Sequence, residues 1–354
     1  MAMQDDARVV VAFNDAINRR DLAALSALMT DGHRFIDSAG SVVDGKPACV
    51  EAWRGFFAAF PDYRNVFDDV RADDAGVVEV RGRSECSTEE LAGPAEWRVV
   101  VRGGLVEEWR VSDPFDVAGL GTILGVWAHP DDEAYLSGGL MALARDNGSR
   151  VVCVTATRGE LGTPDPEAWP PERLAAERTD ELARCLEVLG VTEHHWLGYR
   201  DGGCAEADAP EAVAQLCEVI ERVRPDTVLT FGPDGITGHA DHQTISAWST
   251  AAFDRAAPAG ARLLYAATAE RRVAQWRALN ESLGVYDPGY PVVTPDARLA
   301  VDLVLDSTTA ARKVRALAAQ ATQTTRIIEA LGVDRYTAWV GDESFVERSR
   351  PDVT

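Results

Sequence analysis

Two clusters of polar residues each follow an apolar run of the length of a β-strand. Residues 129–133, His-Pro-Asp-Asp-Glu, come directly after the run 123–128. Residues 238–242, Gly-His-Ala-Asp-His, follow the run 227–231 after a short loop. Three carboxylates in one short segment repel one another unless a cation offsets their charge. We therefore predict a divalent metal site with a catalytic carboxylate beside it.

The first apolar run predicts a buried strand of a parallel sheet, because neither of its faces is polar. Pro130 disfavours a continuing ladder, so the cluster belongs to the loop at the strand's carboxyl end, where open α/β sheets bind ligands. His129 and Asp132, with the distant His242, form the combination of ligands that is usual in catalytic zinc sites. Nitrogen, nitrogen and carboxylate oxygen suit zinc and also Fe(II). An isolated histidine is usually structural, but three of the six histidines fall in these clusters.

Strands and helices alternate along the C-terminal part of the chain. The predicted strands are 123–128, 150–157, 195–199, 227–231 and 262–267, and the helices between them are 137–146, 172–189, 210–223 and 243–255. This order predicts an α/β fold with a doubly wound, mostly parallel sheet. One long helix is predicted at 307–331, whereas 276–306 has a mixed pattern.

The N-terminal part places its helices first and then a run of strands. Helices are predicted at 6–30 and 46–60, and strands at 34–37, 63–71, 76–86, 96–101 and 105–111. This order indicates a small α+β unit. Turn residues at 112–122 predict a boundary, which gives domains 1–117 and 122–354.

Composition excludes several classes of function. The formal net charge of −22 would repel phosphate backbones, so we expect no nucleic-acid partner. The six cysteines are scattered without a CxxC pair, which indicates a reducing compartment rather than a disulfide framework. The N-terminus has no basic segment followed by a long apolar one, and no later run reaches membrane-spanning length. We expect a cytoplasmic protein without a membrane partner.

The two polar clusters, 128–133 and 238–242, resemble the paired motifs of the LmbE/PIG-L family of metal-dependent N-acetylglucosaminyl deacetylases and amidases. The resemblance spans about 122–350. The segments that support it are 157–160, 178–181, 197–201 and 313–323.

The resemblance implies a role for each polar residue of the clusters. The implied metal ligands are His129, Asp132 and His242. Asp131 would be the general base that deprotonates the metal-bound water. His239 would stabilise the oxyanion or protonate the departing amine, with Asp241 orienting its ring.

Three further residues match family positions that bind sugar hydroxyls. Arg178 and Asp201 are the stronger matches, and Glu160 is a third candidate. The alternatives are an ion pair on a helix surface for Arg178 and turn capping for Asp201. Glu133 is expected to support its loop rather than to react.

Two positions depart from the family pattern. Thr237 stands where the family's deacetylases often carry a tyrosine, so oxyanion stabilisation would rest more on His239 and the metal. Gln320 stands where a histidine is common in the late helix, so we expect substrate recognition at that end to differ. Neither position is one of the predicted metal ligands.

Residues 6–116 resemble the SnoaL-like branch of the NTF2-like superfamily. The similarity lies in the helical opening, the turn 44–46 before an aromatic helix and the closing strand 107–113. That fold is a curved sheet wrapped around helices to form a conical pocket. The resemblance implies a domain that binds or dimerises. Candidate pocket residues are His33, Asp37 and Asp113, with turn or surface roles as the alternative.

Together these features predict a zinc-dependent hydrolase, with Fe²⁺ as the other candidate metal. It would remove an N-acyl group, typically acetyl, from an amino sugar or a glycosylated small molecule. The SnoaL-like region suggests natural-product biosynthesis by analogy, and a homodimer is a further prediction. One alternative is an amidase that cleaves a mycothiol-like thiol–sugar conjugate. Another is a binding or scaffold protein with a structural metal, although no structural site requires Asp131.

Overall fold

The computed structural model describes residues 2–38, 41–72, 76–112 and 115–348. The chain divides into two compact units, residues 1–114 and 115–354. The exact bounds predicted for the two domains, 1–117 and 122–354, stay a prediction.

The N-terminal unit is an α+β structure with one six-stranded sheet. Its elements in chain order are α1 (Ala2–Arg19), α2 (Leu22–Ala27), β1 (Met29–Ile36), β2 (Val42–Asp44), α3 (Lys46–Ala59), β3 (Arg64–Ala72), β4 (Val77–Glu85), β5 (Gly93–Arg102) and β6 (Leu105–Ser112). The strand order is β2-β1-β6-β5-β4-β3, and β1–β6 is the parallel pair. The predicted α+β class of this part of the chain is confirmed by these elements.

The predicted helix at 6–30 is in fact two helices and the start of a strand. Arg20, with a φ of 57°, ends the first helix, because a left-handed residue cannot continue it. The Asp21 carboxylate then accepts a hydrogen bond from the Ala24 amide and caps α2. The core behind the sheet contains Phe13 stacked on Trp109, with ring centroids 4.7 Å apart.

The C-terminal unit is a doubly wound α/β structure. Its elements in chain order are β7 (Ile123–Trp127), α4 (Asp132–Asp146), β8 (Val151–Thr155), α5 (Pro171–Leu189), β9 (Glu193–Trp196), α6 (Ala209–Val223), β10 (Thr227–Phe231), α7 (Ala240–Ala256), β11 (Arg262–Ala266), β12 (Thr268–Ala269), α8 (Glu270–Leu283), β13 (Val293–Thr294), β14 (Val301–Val304), α9 (Ser307–Ala318), α10 (Ala321–Leu331), α11 (Val333–Trp339) and β15 (Asp342–Glu347).

The main sheet has the strand order β14-β15-β11-β10-β7-β8-β9. The strands from β11 to β9 are parallel, and β15 runs antiparallel to its neighbours β11 and β14. Every residue of β7, β8 and β10 is buried, which fits central strands covered by helices on both faces. The predicted fold class is confirmed. Among the described helices we find none with the length and apolarity that crossing a membrane requires.

Two predicted helices have different bounds in the structure. The helix expected at 137–146 begins at Asp132, because its acidic first turn, which also contains Glu133, favours the positive end of the helix dipole. The helix expected at 307–331 is broken between α9 and α10. Gln320 leaves the helical conformation there, and its buried side chain binds Glu133.

Candidate active site

The two polar clusters meet at the carboxyl edge of the sheet. His129 follows β7, and His242 lies in the first turn of α7, which follows β10. Strands β7 and β10 are hydrogen-bonded neighbours, so their carboxyl ends deliver both loops to the same place. Asp132 is the first residue of α4.

Three predicted ligands converge in the geometry that a cation requires. The distance is 3.2 Å from His129 Nδ1 to His242 Nε2 and 3.5 Å from His129 Nδ1 to Asp132 Oδ2. Asp132 Oδ1 lies 3.4 Å from His242 Nε2. Ligand atoms about 2.1 Å from a tetrahedral zinc ion are about 3.4 Å apart. The three side chains therefore fit a zinc ion, and we call them the metal triad.

The partners of the two rings fix which nitrogen can bind a cation. His129 Nε2 lies 3.1 Å from Asp201 Oδ1 and 3.2 Å from Asp241 Oδ2, and carboxylates only accept hydrogen bonds. His242 Nδ1 lies 3.0 Å from the Gly235 carbonyl oxygen. These contacts assign the protons to those nitrogens and leave the lone pairs of His129 Nδ1 and His242 Nε2 toward the triad, as in known metal sites.

A second group of donors lies on the other side of the His129 ring, formed by Asp201 and Asp241. Asp241 accepts hydrogen bonds from the amides of Gly202 and Cys204, and Asp201 accepts one from the Leu161 amide. Both Asp241 oxygens are engaged with backbone N–H groups, whereas in Asp132 only Oδ2 accepts one, from the His129 amide. The Asp241 carboxylate is thus suited to receive the His129 Nε2 proton. These contacts favour the triad over the second group, and the ligand set His129, Asp132 and His242 stays a prediction.

The carboxylates around His129 set its charge state in the absence of a metal. Burial opposes the charge of the ring, but Asp132, Asp201 and Asp241 raise the pKa of His129 well above its usual value. Burial likewise disfavours ionised Asp132, yet His242 and His129 lower the pKa of that carboxyl. The site is thus built to hold positive charge beside Asp132.

Asp131 stands beside the triad in a constrained position. Its φ of 112° is rare for an L-residue, and the Glu133 carboxylate accepts a hydrogen bond from its amide. Burial raises the pKa of Asp131 to about 7, although Arg178 lowers it. A carboxylate next to a metal site but outside its ligand set has the placement that a general base needs.

Arg178 lies beneath this loop and not on the helix surface. The side chain is 3% exposed, and it donates hydrogen bonds to the carbonyl oxygens of Gly159 and Pro130. Its Nη2 also lies 3.4 Å from Asp131 Oδ2. The surface ion pair considered as an alternative is thus wrong. The structure places Arg178 where it positions Asp131, and direct contact with a sugar stays a prediction.

Asp201 and Glu160 lie together at the ends of β9 and β8. The Glu160 carboxylate accepts a hydrogen bond from the Asp201 amide, at 3.0 Å. Burial alone would raise the pKa of Asp201, but His129 lowers it to about 2. Glu160 Oε2 is buried and meets no hydrogen-bond donor in the part of the chain that the structure describes. A contact between that oxygen and a sugar stays a prediction.

The predicted pairing of His239 with the Asp241 carboxylate is wrong. The Asp241 carboxylate contacts His129, and only its backbone amide reaches His239, donating to Nδ1 at 3.2 Å. The His239 ring still belongs to the site, since its centroid is 4.9 Å from that of His129. Because Nδ1 accepts, Nε2 carries the proton of the neutral ring, which suits an oxyanion donor better than an acid.

Sequence reasoning missed the connection between Gln320 and the catalytic loop. Gln320 Nε2 donates to Glu133 Oε1 at 2.7 Å, and Glu133 holds the Asp131 amide. Burial raises the pKa of Glu133 to about 8. The expected supporting role of Glu133 agrees with these contacts. The departure at Gln320 was visible in the sequence, but its partner, 187 residues away, was not.

The N-terminal unit has a cavity of about 340 Å³, and Asp37 lines it beside aromatic residues such as Trp53 and Trp109. His33 is fully buried, and its Nδ1 lies 2.9 Å from the Val106 carbonyl oxygen, so it packs in the core. Burial lowers the pKa of His33. Asp113, the third candidate, lies outside the described residues.

Comparisons with known proteins agree with this division of the chain. Residues 124–253 match the family of the GlcNAc-PI de-N-acetylase, and residues 10–113 match the SnoaL-like domain. The 1D-myo-inositol 2-acetamido-2-deoxy-alpha-D-glucopyranoside deacetylase of Kineococcus radiotolerans is 36% identical over 274 residues, which cover 62% of this chain and 75% of that protein. The deacetylase of the same name from Streptomyces scabiei is 41% identical over 142 residues, 34% of this chain and 44% of that one.

Among solved structures, the N,N'-diacetylchitobiose deacetylase of Pyrococcus horikoshii aligns with a TM-score of 0.47 and 21% identity, over 66% of this chain and 87% of that one. The sequence matches confirm both predicted resemblances, and with them the prediction of a hydrolase that acts on an amide C–N bond. The chain belongs to the GlcNAc-PI de-N-acetylase family and has a SnoaL-like domain before the family's domain.

Proposed function

We propose that this protein is a zinc-dependent hydrolase that removes the N-acyl group of an amino sugar or of a glycosylated small molecule. The observation that carries this proposal is the metal triad, whose donor atoms are 3.2 to 3.5 Å apart with Asp131 beside them. A structural metal site has no need of a constrained, non-ligating carboxylate. Two imidazoles and a carboxylate suit zinc, and Fe(II) is the second choice.

The triad would hold the cation through His129 Nδ1, His242 Nε2 and the Asp132 carboxylate. Bound there, a divalent cation supplies Lewis acidity, which makes water more acidic and polarises an amide carbonyl. The carboxylates of Asp201 and Asp241 lie against His129 Nε2, where they keep the ring oriented and increase its basicity.

Asp131 moves the proton in the proposed reaction. It takes a proton from the attacking water while the water oxygen bonds to the carbonyl carbon. The C–N bond then breaks, and the same proton passes to the leaving nitrogen, giving a carboxylic acid and an amine, which ionise to a carboxylate and an ammonium group. His239 Nε2–H donates to the oxygen on which negative charge develops. Arg178 and Glu133 hold Asp131 in place for both transfers.

The amine half of the substrate would lie toward β8 and β9. Glu160 Oε2 and Asp201 are acceptors near the edge of those strands and suit sugar hydroxyls. The relatives' names describe an N-acetylated glucosaminyl-inositol, which supports a glycoside of an acylated amino sugar as substrate here. A role in natural-product biosynthesis remains our proposal, and so does dimerisation through the SnoaL-like domain.

The amidase that cleaves a thiol–sugar conjugate is the second candidate, because it breaks the same kind of bond at the same groups. The two reactions differ in the acyl group that must fit beside Asp132 and His242. A cavity of about 250 Å³ that both residues line has room for a larger acyl group, which supports this candidate.

The experiment is hydrolysis of a panel of N-acylated amino sugars by zinc-loaded protein, with metal content measured on the same sample. We expect one metal per chain and release of free amine. Asp131→Asn should keep the metal and lose the hydrolysis. A bound metal with no hydrolysis of any amide in the panel would contradict the proposal.

A further inference from the structure

A cavity of about 250 Å³ opens directly beside the metal triad. Asp132, His242 and Thr237 line one end of it. Tyr135, Leu136 of α4 and other apolar side chains form its walls. At about 30 Å³ per water molecule, it has room for about eight water-sized groups. An acetyl group adds a single methyl beyond its carbonyl, so acetyl alone would leave most of this cavity empty.

The cavity extends away from the groups that handle protons and sugar hydroxyls. It reaches Ala267 after β11 and Ser344 of β15, on one side of β7 and β10. Glu160 and Asp201 follow β8 and β9, on the opposite side of those strands. The triad thus lies between Glu160 and Asp201 on one side and the cavity on the other. The exposed lining of the cavity is mostly apolar, and its charged members, Arg272, Asp342 and Glu343, are held in ion pairs.

The groups on the reacting carbon indicate which part of the amide occupies the cavity. The carbonyl carbon carries four groups during hydrolysis: the polarised oxygen, the incoming water oxygen, the nitrogen and the acyl substituent. Asp131 serves the water and the nitrogen, and His239 serves the polarised oxygen. Neither residue is among the described residues that line the cavity. The acyl substituent is the group left to occupy it.

The lining of the cavity includes an unsatisfied polar group. Glu343 accepts hydrogen bonds from the amides of Gly139 and Leu140, which lie about 10 Å along α4 from Asp132. Ser344 follows it and lines the cavity. The Ser344 hydroxyl is buried, at 7% exposure for the residue, and meets no hydrogen-bond partner among the described residues. A buried hydroxyl of this kind costs stability unless a ligand satisfies it.

We propose that this cavity, the acyl pocket, binds an acyl group longer than acetyl whose far part carries a hydrogen-bonding group, as in a hydroxyacyl or aminoacyl amide. The inference rests on the proposed function and adds the class of acyl group to it. The apolar walls select length, and Ser344 selects the polar group at the far end.

The test compares N-acetyl-, N-hexanoyl- and N-(6-hydroxyhexanoyl)-glucosamine with the zinc-loaded full chain. Each buried methylene is worth about fourfold, so we expect kcat/KM for hexanoyl to exceed that for acetyl by at least about tenfold. The hydroxylated chain should be better still, and Ser344→Ala should reduce that last advantage by about threefold to tenfold. Preference for acetyl over both longer chains would overturn the proposal.

A matched pair of variants tests whether the acyl group binds in this pocket. Val285 lines the acyl pocket, and Val285→Trp should lower the hexanoyl-to-acetyl ratio by about tenfold by filling it. Leu283, two residues earlier and 36% exposed, provides the control Leu283→Trp, which should leave the ratio as it is. Equal effects of the two variants would contradict the assignment.

Calorimetric titration with the product carboxylates gives a readout independent of turnover. We expect hexanoate to bind zinc-loaded protein about tenfold more tightly than acetate, and Val285→Trp to abolish the difference. If no amide is cleaved, the proposed function is wrong, and this titration still shows whether the acyl pocket binds the longer acyl chain. Equal affinities for the two carboxylates would overturn it.

Discussion

The two units of this chain each contain a cavity of similar size, yet their polar groups are arranged in different ways. In the N-terminal unit, Tyr63, Asn65 and Ser84 bond one another at the cavity of about 340 Å³. Trp53 and Trp109 present indole N–H groups that meet no acceptor among the described residues, a modest cost for neutral donors. In the C-terminal unit, ionisable groups of like charge converge beside the cavity. The two cavities are similar in volume, and the feature that distinguishes the C-terminal one is the group of carboxylates around His129.

The difference has a physical basis. Neutral polar groups satisfy one another through hydrogen bonds and stabilise the fold without a ligand. Carboxylates such as Asp132, Asp201 and Asp241 around one imidazole repel one another and lose hydration, so the arrangement needs a cation. We therefore expect a bound metal to stabilise the C-terminal unit and to leave the stability of the N-terminal unit unchanged.

The largest expected effect is that of metal removal. Chelation should abolish amide hydrolysis and expose the backbone of 123–140 and 235–245 to hydrogen exchange, because the cation binds only the folded site. The N-terminal unit, residues 1–114, should exchange at the same rate with and without metal. Hydrogen exchange followed by mass spectrometry on the full chain measures both. Equal changes in hydrogen exchange in the two units would contradict the expected difference between them.

The next largest effect is that of Asp131→Asn. We expect kcat to fall by about 10² to 10⁴, since the amide cannot accept the proton of the water. Metal content should stay at the wild-type level because Asp131 is not a ligand. Loss of the metal in this variant would place Asp131 in the coordination sphere and remove its role as a base.

Arg178→Lys should have a smaller effect, about tenfold to a hundredfold on kcat with little change in KM. Lysine keeps the charge but cannot donate to Gly159 and Pro130 together in the geometry of a guanidinium. Arg173 on the same helix is exposed and provides the control Arg173→Lys, which should be silent. A large rise in KM with normal kcat would instead indicate that Arg178 contacts the sugar.

The smallest effect concerns the N-terminal unit and pH. The folded-state pKa of His33 is lowered by burial, so below the ordinary value of 6.5 the unfolded chain binds a proton that the folded chain does not. The free energy of unfolding should therefore fall as the pH drops below 6.5, until the folded pKa is reached. His33→Gln should weaken this dependence in urea titrations while hydrolysis at neutral pH stays unchanged. An identical pH dependence in the variant would rule out His33 as its source.

The metal triad could be predicted from sequence because its members lie at the ends of apolar strands, and the carboxyl ends of neighbouring parallel strands converge. The orientation of Asp241 could not be predicted. Amides of Gly202 and Cys204, 39 and 37 residues away, hold its carboxylate against His129. The family resemblance implied His239 as its partner, and the sequence does not show the distant contacts that turn Asp241 toward His129 instead.

Two further features depended on tertiary contacts. Helical periodicity continues through Gln320, so the break there follows from a buried hydrogen bond to Glu133 that the pattern does not encode. The acyl pocket draws Val285 and Ser344 from segments with mixed or weak periodicity. The fold class could thus be predicted from local pattern, whereas the shape of the substrate site depends on packing between distant segments.

The most direct test of the metal assignment is the anomalous scattering of a zinc-loaded crystal. We predict one strong peak between His129 Nδ1, His242 Nε2 and the Asp132 carboxylate, with ligand distances of about 2.0 to 2.2 Å and Asp131 outside the coordination sphere. A peak on the opposite side of the His129 ring, between Asp201 and Asp241, would contradict the account.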